Sequence, residues 1–161
     1  MIACIDANVF IWGLKKRCNV GDEDLRDRAI YLFKWLRKND HHIMIPTVVL
    51  GEVLSSEPLD RYPVIMELTK NAMIVDFDQM AATKYAQLFM NRYEELKKMA
   101  REVDADRQKM KVDHLIISCA IVKGANCIYS HDAGIKTFGQ KYIEIKDLPQ
   151  IPRDLFGGES I

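Results

Sequence analysis

With 161 residues, 48% of them hydrophobic and 29% charged, the chain has the size and composition of one soluble globular domain with a substantial core. Lysine plus arginine and aspartate plus glutamate number 23 each, so the formal net charge is zero. That balance excludes the strong positive field of a dedicated non-specific DNA binder, although acids pooled at one site would leave the remaining surface relatively basic. Asp6 interrupts the apolar N-terminal run and no basic stretch precedes it, which is not a signal-peptide pattern. No apolar segment approaches the length of a membrane span, so a cytoplasmic protein with no membrane partner is expected. Cys4, Cys18, Cys119 and Cys127 form no CxxC pair and no zinc-ligand spacing. Cys4, Cys119 and Cys127 read as core thiols of a reducing compartment.

Ile2 to Ile5 is a short apolar run ended by Asp6, which suits a buried strand. A turn region containing Gly13 follows. A helix is expected from about Asp22 to Lys38, with Leu25, Ala29, Leu32, Phe33 and Leu36 on its core face. Ile43 to Ile45 reads as a second strand, ended by Pro46, with Thr47 as the cap of a helix over Val48 to Leu54. Tyr62 to Thr69 suits a short helix, Met73 to Val75 a third strand, and Asp78 a helix cap.

From Met80 the chain favours helix for most of thirty residues, and its charge clusters, such as Glu94–Glu95 and Lys97–Lys98, mark a solvated arm. Val112 to Val122 reads as the most buried helix, stopped by Gly124. Cys127 to Tyr129 is a fourth strand, Ala133 to Phe138 a short helix, and Tyr142 to Ile145 a fifth strand. Short apolar strands alternating with helices argue for an α/β fold with a parallel sheet covered on both faces. Right-handed crossovers leave every strand's C-terminal end on one edge, where ligands of open sheets bind.

Four acids fall near that edge: Asp6 after the first strand, Glu52 on the helix after the second, Asp113 near the start of the buried helix, and Asp132 after the fourth strand. Gathered together they would repel one another unless a cation neutralised them. The bland alternative makes Asp113 and Asp132 helix caps, Asp6 a turn former and Glu52 an exposed helical residue. Glu52 fits it least, because Val48, Val49 and Leu50 precede it and a buried glutamate needs a partner.

The blocks around these acids resemble the PIN-domain nucleases, a family that includes many prokaryotic toxin endoribonucleases. Ile2-Ala3-Cys4-Ile5-Asp6-Ala7-Asn8-Val9-Phe10 resembles the family's first-strand motif. Thr47-Val48-Val49-Leu50-Gly51-Glu52-Val53, Lys111-Val112-Asp113-His114-Leu115-Ile116 and Tyr129-Ser130-His131-Asp132 resemble the segments bearing its other three acids, in family order. His114 and His131 depart from the residues common beside those acids. The arm from Met80 to Met110 is longer than in the smallest members.

The resemblance implies a PIN-like three-layer sandwich with a central, mainly parallel five-stranded sheet. The domain would span residues 1–148, with a helical arm near 79–111 and a C-terminal tail over 149–161. It implies a metal-dependent endoribonuclease whose catalytic acids Asp6, Glu52, Asp113 and Asp132 bind Mg²⁺ or Mn²⁺, with Asn8 and Ser130 hydrogen-bonding an acid, a water or a phosphate. RNA is the implied substrate and an antitoxin protein an implied partner. A homodimer through an apolar seam of Tyr85, Leu88 and Met99 is a further expectation.

Around the site, Arg107, Lys109 and Lys111 suit phosphate contact or a solvated linker, and Lys15, Lys16 and Arg17 a second backbone track. Trp12 and Tyr129 suit core positions. His131 suits a surface or substrate contact, His114 a packing role, and His41 and His42 the opposite sheet edge. The competing readings are a catalytically silent RNA-binding PIN-like protein and a structure-specific DNA nuclease. A nucleotide-binding fold is disfavoured because no Gly-rich loop follows the first strand.

Overall fold

The computed structural model describes the backbone of residues 1–98 and 104–152, and the side chains of these except 92–98 and 104–110. Five strands form one sheet: β1 (Ile2–Ile5), β2 (His42–Pro46), β3 (Met73–Val75), β4 (Cys127–Tyr129) and β5 (Glu144–Lys146). Their order is β3-β2-β1-β4-β5, and every pairing is parallel. The helices are α1 (Ala7–Gly13), α2 (Glu23–Lys38), α3 (Thr47–Ser55), α4 (Tyr62–Thr69), α5 (Gln79–Lys98), α6 (Asp104–Val122) and α7 (Ala133–Gly139).

From β1 the chain steps one way to β2 and β3, then crosses to β4 and β5 on the other side. Right-handed crossovers then put the connections of the two halves on opposite faces, giving the expected sandwich. The strand order reverses between β1 and β4, and a crevice opens beyond their C-terminal ends. Their register pairs Ile5 with Tyr129, so Asp6 and Ser130 leave the sheet side by side.

The core is one cluster on and around β1, β2 and β4, with Ile5, Phe10, Leu32, Leu36, Met44, Ile45, Ile117 and Ile128 fully buried. Ala29, Leu32, Phe33 and Leu36 face it from α2 at helical spacing. Glu23 and Asp24 in the first turn and Arg37 and Lys38 in the last complement the α2 dipole. Gly124, at φ 76°, takes the left-handed conformation that stops α6, and Ala125 N–H closes the end on the Ala120 carbonyl at 2.8 Å. Asp78 caps α5 through Ala81 N–H at 3.0 Å. Cys4, Cys119 and Cys127 are buried free thiols, as expected, and burial raises the pKa of each.

Several expectations are corrected. The segment after β1 is the helix α1 rather than a turn, because Asp6 caps it and Ala7, Val9, Phe10 and Gly13 bury one face. Thr47 does not cap α3; Pro46 holds that position and Thr47 Oγ1 accepts a hydrogen bond from Phe77 N–H at 3.4 Å. Helix α6 begins at Asp104, so Asp113 lies well inside it, beyond the reach of the N-terminal dipole. The last strand lies two residues further on at its start than expected, at Glu144.

Leu88 is not on a free seam: it is 3% exposed and joins the core. Tyr85 stacks on Phe89 with ring centroids 5.6 Å apart, and Met99 lies outside the described residues, as does the tail beyond residue 152. Among the described residues no helix is long and apolar enough to cross a membrane.

Candidate functional site at the β1–β4 crevice

Asp6 leaves β1 and turns back as the N-cap of α1, so the same residue ends a strand and starts a helix. It is 2% exposed. Its Oδ1 accepts Val9 N–H at 3.0 Å and its Oδ2 accepts a short hydrogen bond from the Ser130 hydroxyl. Burial pushes the Asp6 carboxyl above the ordinary aspartate range, against the hydrogen bonds from Ser130 and the backbone, and the Asp132 charge pushes the same way.

Ser130 leaves β4 at the matching level. While its hydroxyl donates to Asp6, its oxygen accepts Asp132 N–H at 3.0 Å, which ties two acids 126 positions apart. Asp132 caps α7, its Oδ1 receiving Gly134 N–H at 2.6 Å and Ile135 N–H at 3.3 Å. Asp113 comes from the middle of α6 and is 5% exposed. Glu52 comes from α3 and is exposed, which corrects the expectation of a buried glutamate. Partial desolvation raises its pKa all the same, helped by the charges of Asp6 and Asp132.

A cavity of about 190 Å³ opens where these elements meet. Asp6, Asn8, Glu52, Asp113 and Asp132 line it beside Ala7, Val112, Ile116 and Ile135. The architecture thus brings all four acids and Asn8 to one pocket and sets Ser130 behind Asp6. Their grouping is nonetheless loose: among the described residues no three His, Cys, Asp or Glu side chains form a group that could hold a metal ion. All-oxygen donors suit a hard divalent cation such as Mg²⁺ or Mn²⁺. Space is kept for them by Gly134, where a Cβ would collide with Asp113 Oδ2 and stand 2.8 Å from Asp132 Oδ1. The residues fit such an ion in donor chemistry, as oxygen donors around one pocket.

Sequence reasoning passed over Gly134, whose one signal was its place two residues after Asp132. It also passed over Asp147 and Lys136. Asp147 Oδ1 lies 2.9 Å from His131 Nδ1 and its Oδ2 lies 2.7 Å from Lys136 Nζ. No local pattern could have joined residues 16 positions apart across two strand ends.

The remaining candidates divide clearly. His114 is 1% exposed and packs between Phe89 and Phe138, with centroids 6.0 and 5.3 Å away, which is the expected packing role. His41 and His42 line a separate cavity of about 390 Å³ at the other sheet edge, together with Leu14. Trp12 and Tyr129 are buried.

Lys15 and Arg17 do not form a free backbone track. They bind Glu57 at 2.5 and 2.9 Å, beyond the end of α1 that points away from the acids. Lys111 is half-buried near Val112, and the side chains of Arg107 and Lys109 lie outside the described residues.

No protein-family model and no curated protein sequence matches the chain. Solved structures do. The chain is similar to VapBC2 from Rickettsia felis, in a structure bound to a DNA fragment from their promoter, with a TM-score of 0.62 and 20% identity over 92% of this chain and 100% of that one. It is similar to DNA-bound VapBC from Salmonella typhimurium, with a TM-score of 0.61 and 18% identity over 92% and 99% of the two chains. For VapBC-1 from nontypeable Haemophilus influenzae the TM-score is 0.60 and the identity 16%, over 92% and 98%. The five-stranded sandwich, remotely similar to VapBC structures across nearly its whole length, has the PIN-like fold.

Proposed function

We propose that this chain acts on RNA at the β1–β4 crevice, and that its four acids take up Mg²⁺ or Mn²⁺ to hydrolyse phosphodiester bonds. The observation that carries this reading is the meeting of Asp6, Glu52, Asp113 and Asp132, from four separate segments, around one pocket. Asp6 and Asp113 are buried, and like charges grouped around one pocket destabilise a fold unless something cationic offsets them.

Asp6 and Asp113 would hold the ion, with Glu52 and Asp132 completing its shell or binding through water. The ion supplies charge neutralisation at the phosphate and a more acidic attacking water. Ser130 and the Val9 N–H fix the Asp6 carboxylate in one orientation, so that it meets an ion without reorganising. Asn8, exposed at the rim, hydrogen-bonds a water or a substrate phosphate. The apolar wall of Val112, Ile116 and Ile135 limits water around the acids.

A catalytically silent RNA-binding protein is the second reading, favoured by the loose grouping of the acids at rest. Incubating purified protein with single-stranded RNA, structured RNA and branched DNA, with and without Mn²⁺, separates the two. RNA hydrolysis that needs the ion and disappears in Asp6→Asn and Asp113→Asn supports the hydrolytic reading. RNA binding without turnover, unchanged by those substitutions, establishes the silent one. Cleavage of branched DNA alone overturns both.

The likeness to VapBC structures adds an antitoxin-type protein partner to the proposal. Co-purification with the product of a neighbouring gene tests it.

A further inference from the structure

We propose that His131 is a substrate-positioning residue, its ring held by Asp147 so that Nε2 meets the ribose-phosphate backbone of an RNA strand entering the acidic pocket. This rests on the RNA reading above and adds a contact on the β5 side of the mouth.

His131 lies in the turn between Ser130, which is bonded to Asp6, and Asp132, which lines the pocket. Its side chain is 42% exposed. Asp147, one residue past β5, accepts from His131 Nδ1 at 2.9 Å and from Leu148 N–H at 2.7 Å on Oδ1, and from Lys136 at 2.7 Å on Oδ2. Three donors on one carboxylate leave it little freedom to turn. Partial burial pushes the Asp147 carboxyl up, but Lys136, His131 and the Leu148 N–H outweigh it and hold its pKa down at about 2.

An ionised carboxylate has no proton to give, so the imidazole nitrogen facing it carries one. The other nitrogen, Nε2, then points away from Asp147. The Trp12 indole, edge-on with centroids 6.2 Å apart, packs against the ring as well. Ring direction is therefore fixed in either charge state. A neutral ring accepts at Nε2 from a ribose 2′-hydroxyl; a protonated ring donates to a phosphate oxygen.

The need for such a contact follows from the pocket itself. Four carboxylates repel a phosphate strand, and its approach depends on donors beside them. Lys136 and Asp147 cancel in charge, so with a neutral ring the contribution of this trio is orientation rather than field. Of the other candidate cations near the N-terminal third, Lys15 and Arg17 are bound to Glu57, and Lys16 is exposed beyond the far end of α1.

Fluorescence anisotropy of a labelled single-stranded RNA, with Ca²⁺ replacing Mn²⁺ to prevent cleavage, tests the assignment. His131→Ala should weaken RNA binding about tenfold, the size of one well-placed hydrogen bond to a charged group, with an unchanged melting temperature. His131→Gln, which keeps a polar atom near the position of Nε2, should recover most of the loss. Asp147→Asn preserves shape but removes the charge that holds His131 Nδ1, and should weaken binding in the same direction by freeing the ring.

A 2′-deoxy version of the strand tells the two contacts apart. If Nε2 reads the 2′-hydroxyl, deoxy substitution and His131→Ala cost the same and do not add. If it reads a phosphate, the tenfold gap persists on both strands. RNA binding by His131→Ala equal to wild type overturns the His131 assignment alone. Wild-type protein that binds no RNA overturns the RNA reading and this inference with it.

Discussion

Ser130 hydrogen-bonds Asp6 across the β1–β4 pairing, and through the same hydroxyl oxygen it accepts the Asp132 N–H. One small side chain thus sets the direction of a buried acid and anchors the turn that carries another. Ser130→Ala leaves Asp6 Oδ2 without that donor in a site 2% exposed. The expected cost is about 1–3 kcal/mol of stability, read as a lower urea midpoint with an unchanged m-value. The Asp6 pKa should rise further, because the lost hydrogen bond was opposing its desolvation.

Asp6 gives a pH signature. Its folded pKa lies above the ordinary aspartate value, so its contribution to stability is complete below that value and is lost as pH rises through the folded pKa. In metal-free protein Asp6→Asn should therefore melt above wild type, by a margin that grows as pH rises above the ordinary aspartate range. Mn²⁺ should raise the melting temperature of wild type and leave that of Asp6→Asn nearly unchanged. Differential scanning fluorimetry across pH, with and without the ion, measures both. A margin that shrinks as pH rises would contradict the assigned direction.

Much of this arrangement was legible in the chain, for physical reasons that differ by residue. The strands were legible because Ile2–Ile5, Ile43–Ile45 and Cys127–Tyr129 are apolar runs cut off by Asp6, Pro46 and Ser130, with little helical periodicity to confuse them. Gly124 stopped its helix as glycine in the left-handed region does. The seven-residue α1 was hidden because it is too short to show a clear period and ends in Gly13. The start of α6 was hidden because charged residues before Val112 read as a solvated arm, which moved Asp113 to a helix terminus it does not occupy. Long-range placements such as Ser130 behind Asp6 and Asp147 behind His131 have no local signature at all; the sheet order creates them.

Gly134 is a test of the pocket that leaves every acid in place. In Gly134→Ala the added methyl collides with the Asp113 carboxylate and crowds Asp132 Oδ1. The side chains must part, at a cost of about 1–3 kcal/mol. Isothermal titration with Mn²⁺ should show affinity reduced at least about tenfold, from displaced oxygens alone. Gly51→Ala is the control, because a Cβ there meets nothing within 4 Å and replaces glycine inside a helix. Equal Mn²⁺ binding by wild type and Gly134→Ala would show that the space between Asp113 and Asp132 plays no part in holding the ion.

Gly13 tests the fold beneath the site. It lies at the end of α1 where the Phe33 ring of α2 covers it, and an added Cβ would overlap that ring and sit 3.1 Å from the Ala29 carbonyl oxygen. Backbone cannot yield as a flexible side chain tip does, and Phe33 is 3% exposed in a packed core. Gly13→Ala should destabilise by about 1–3 kcal/mol despite the better helix propensity of alanine, which offsets at most about 1 kcal/mol. Because α1 starts at Asp6, any tilt forced at its far end passes to the cap, and Mn²⁺ affinity should fall alongside stability. The double variant Gly13→Ala, Phe33→Leu makes room for the methyl and should regain part of both losses. Restoration of neither would mean that the close approach of α1 and α2 does not set the position of Asp6.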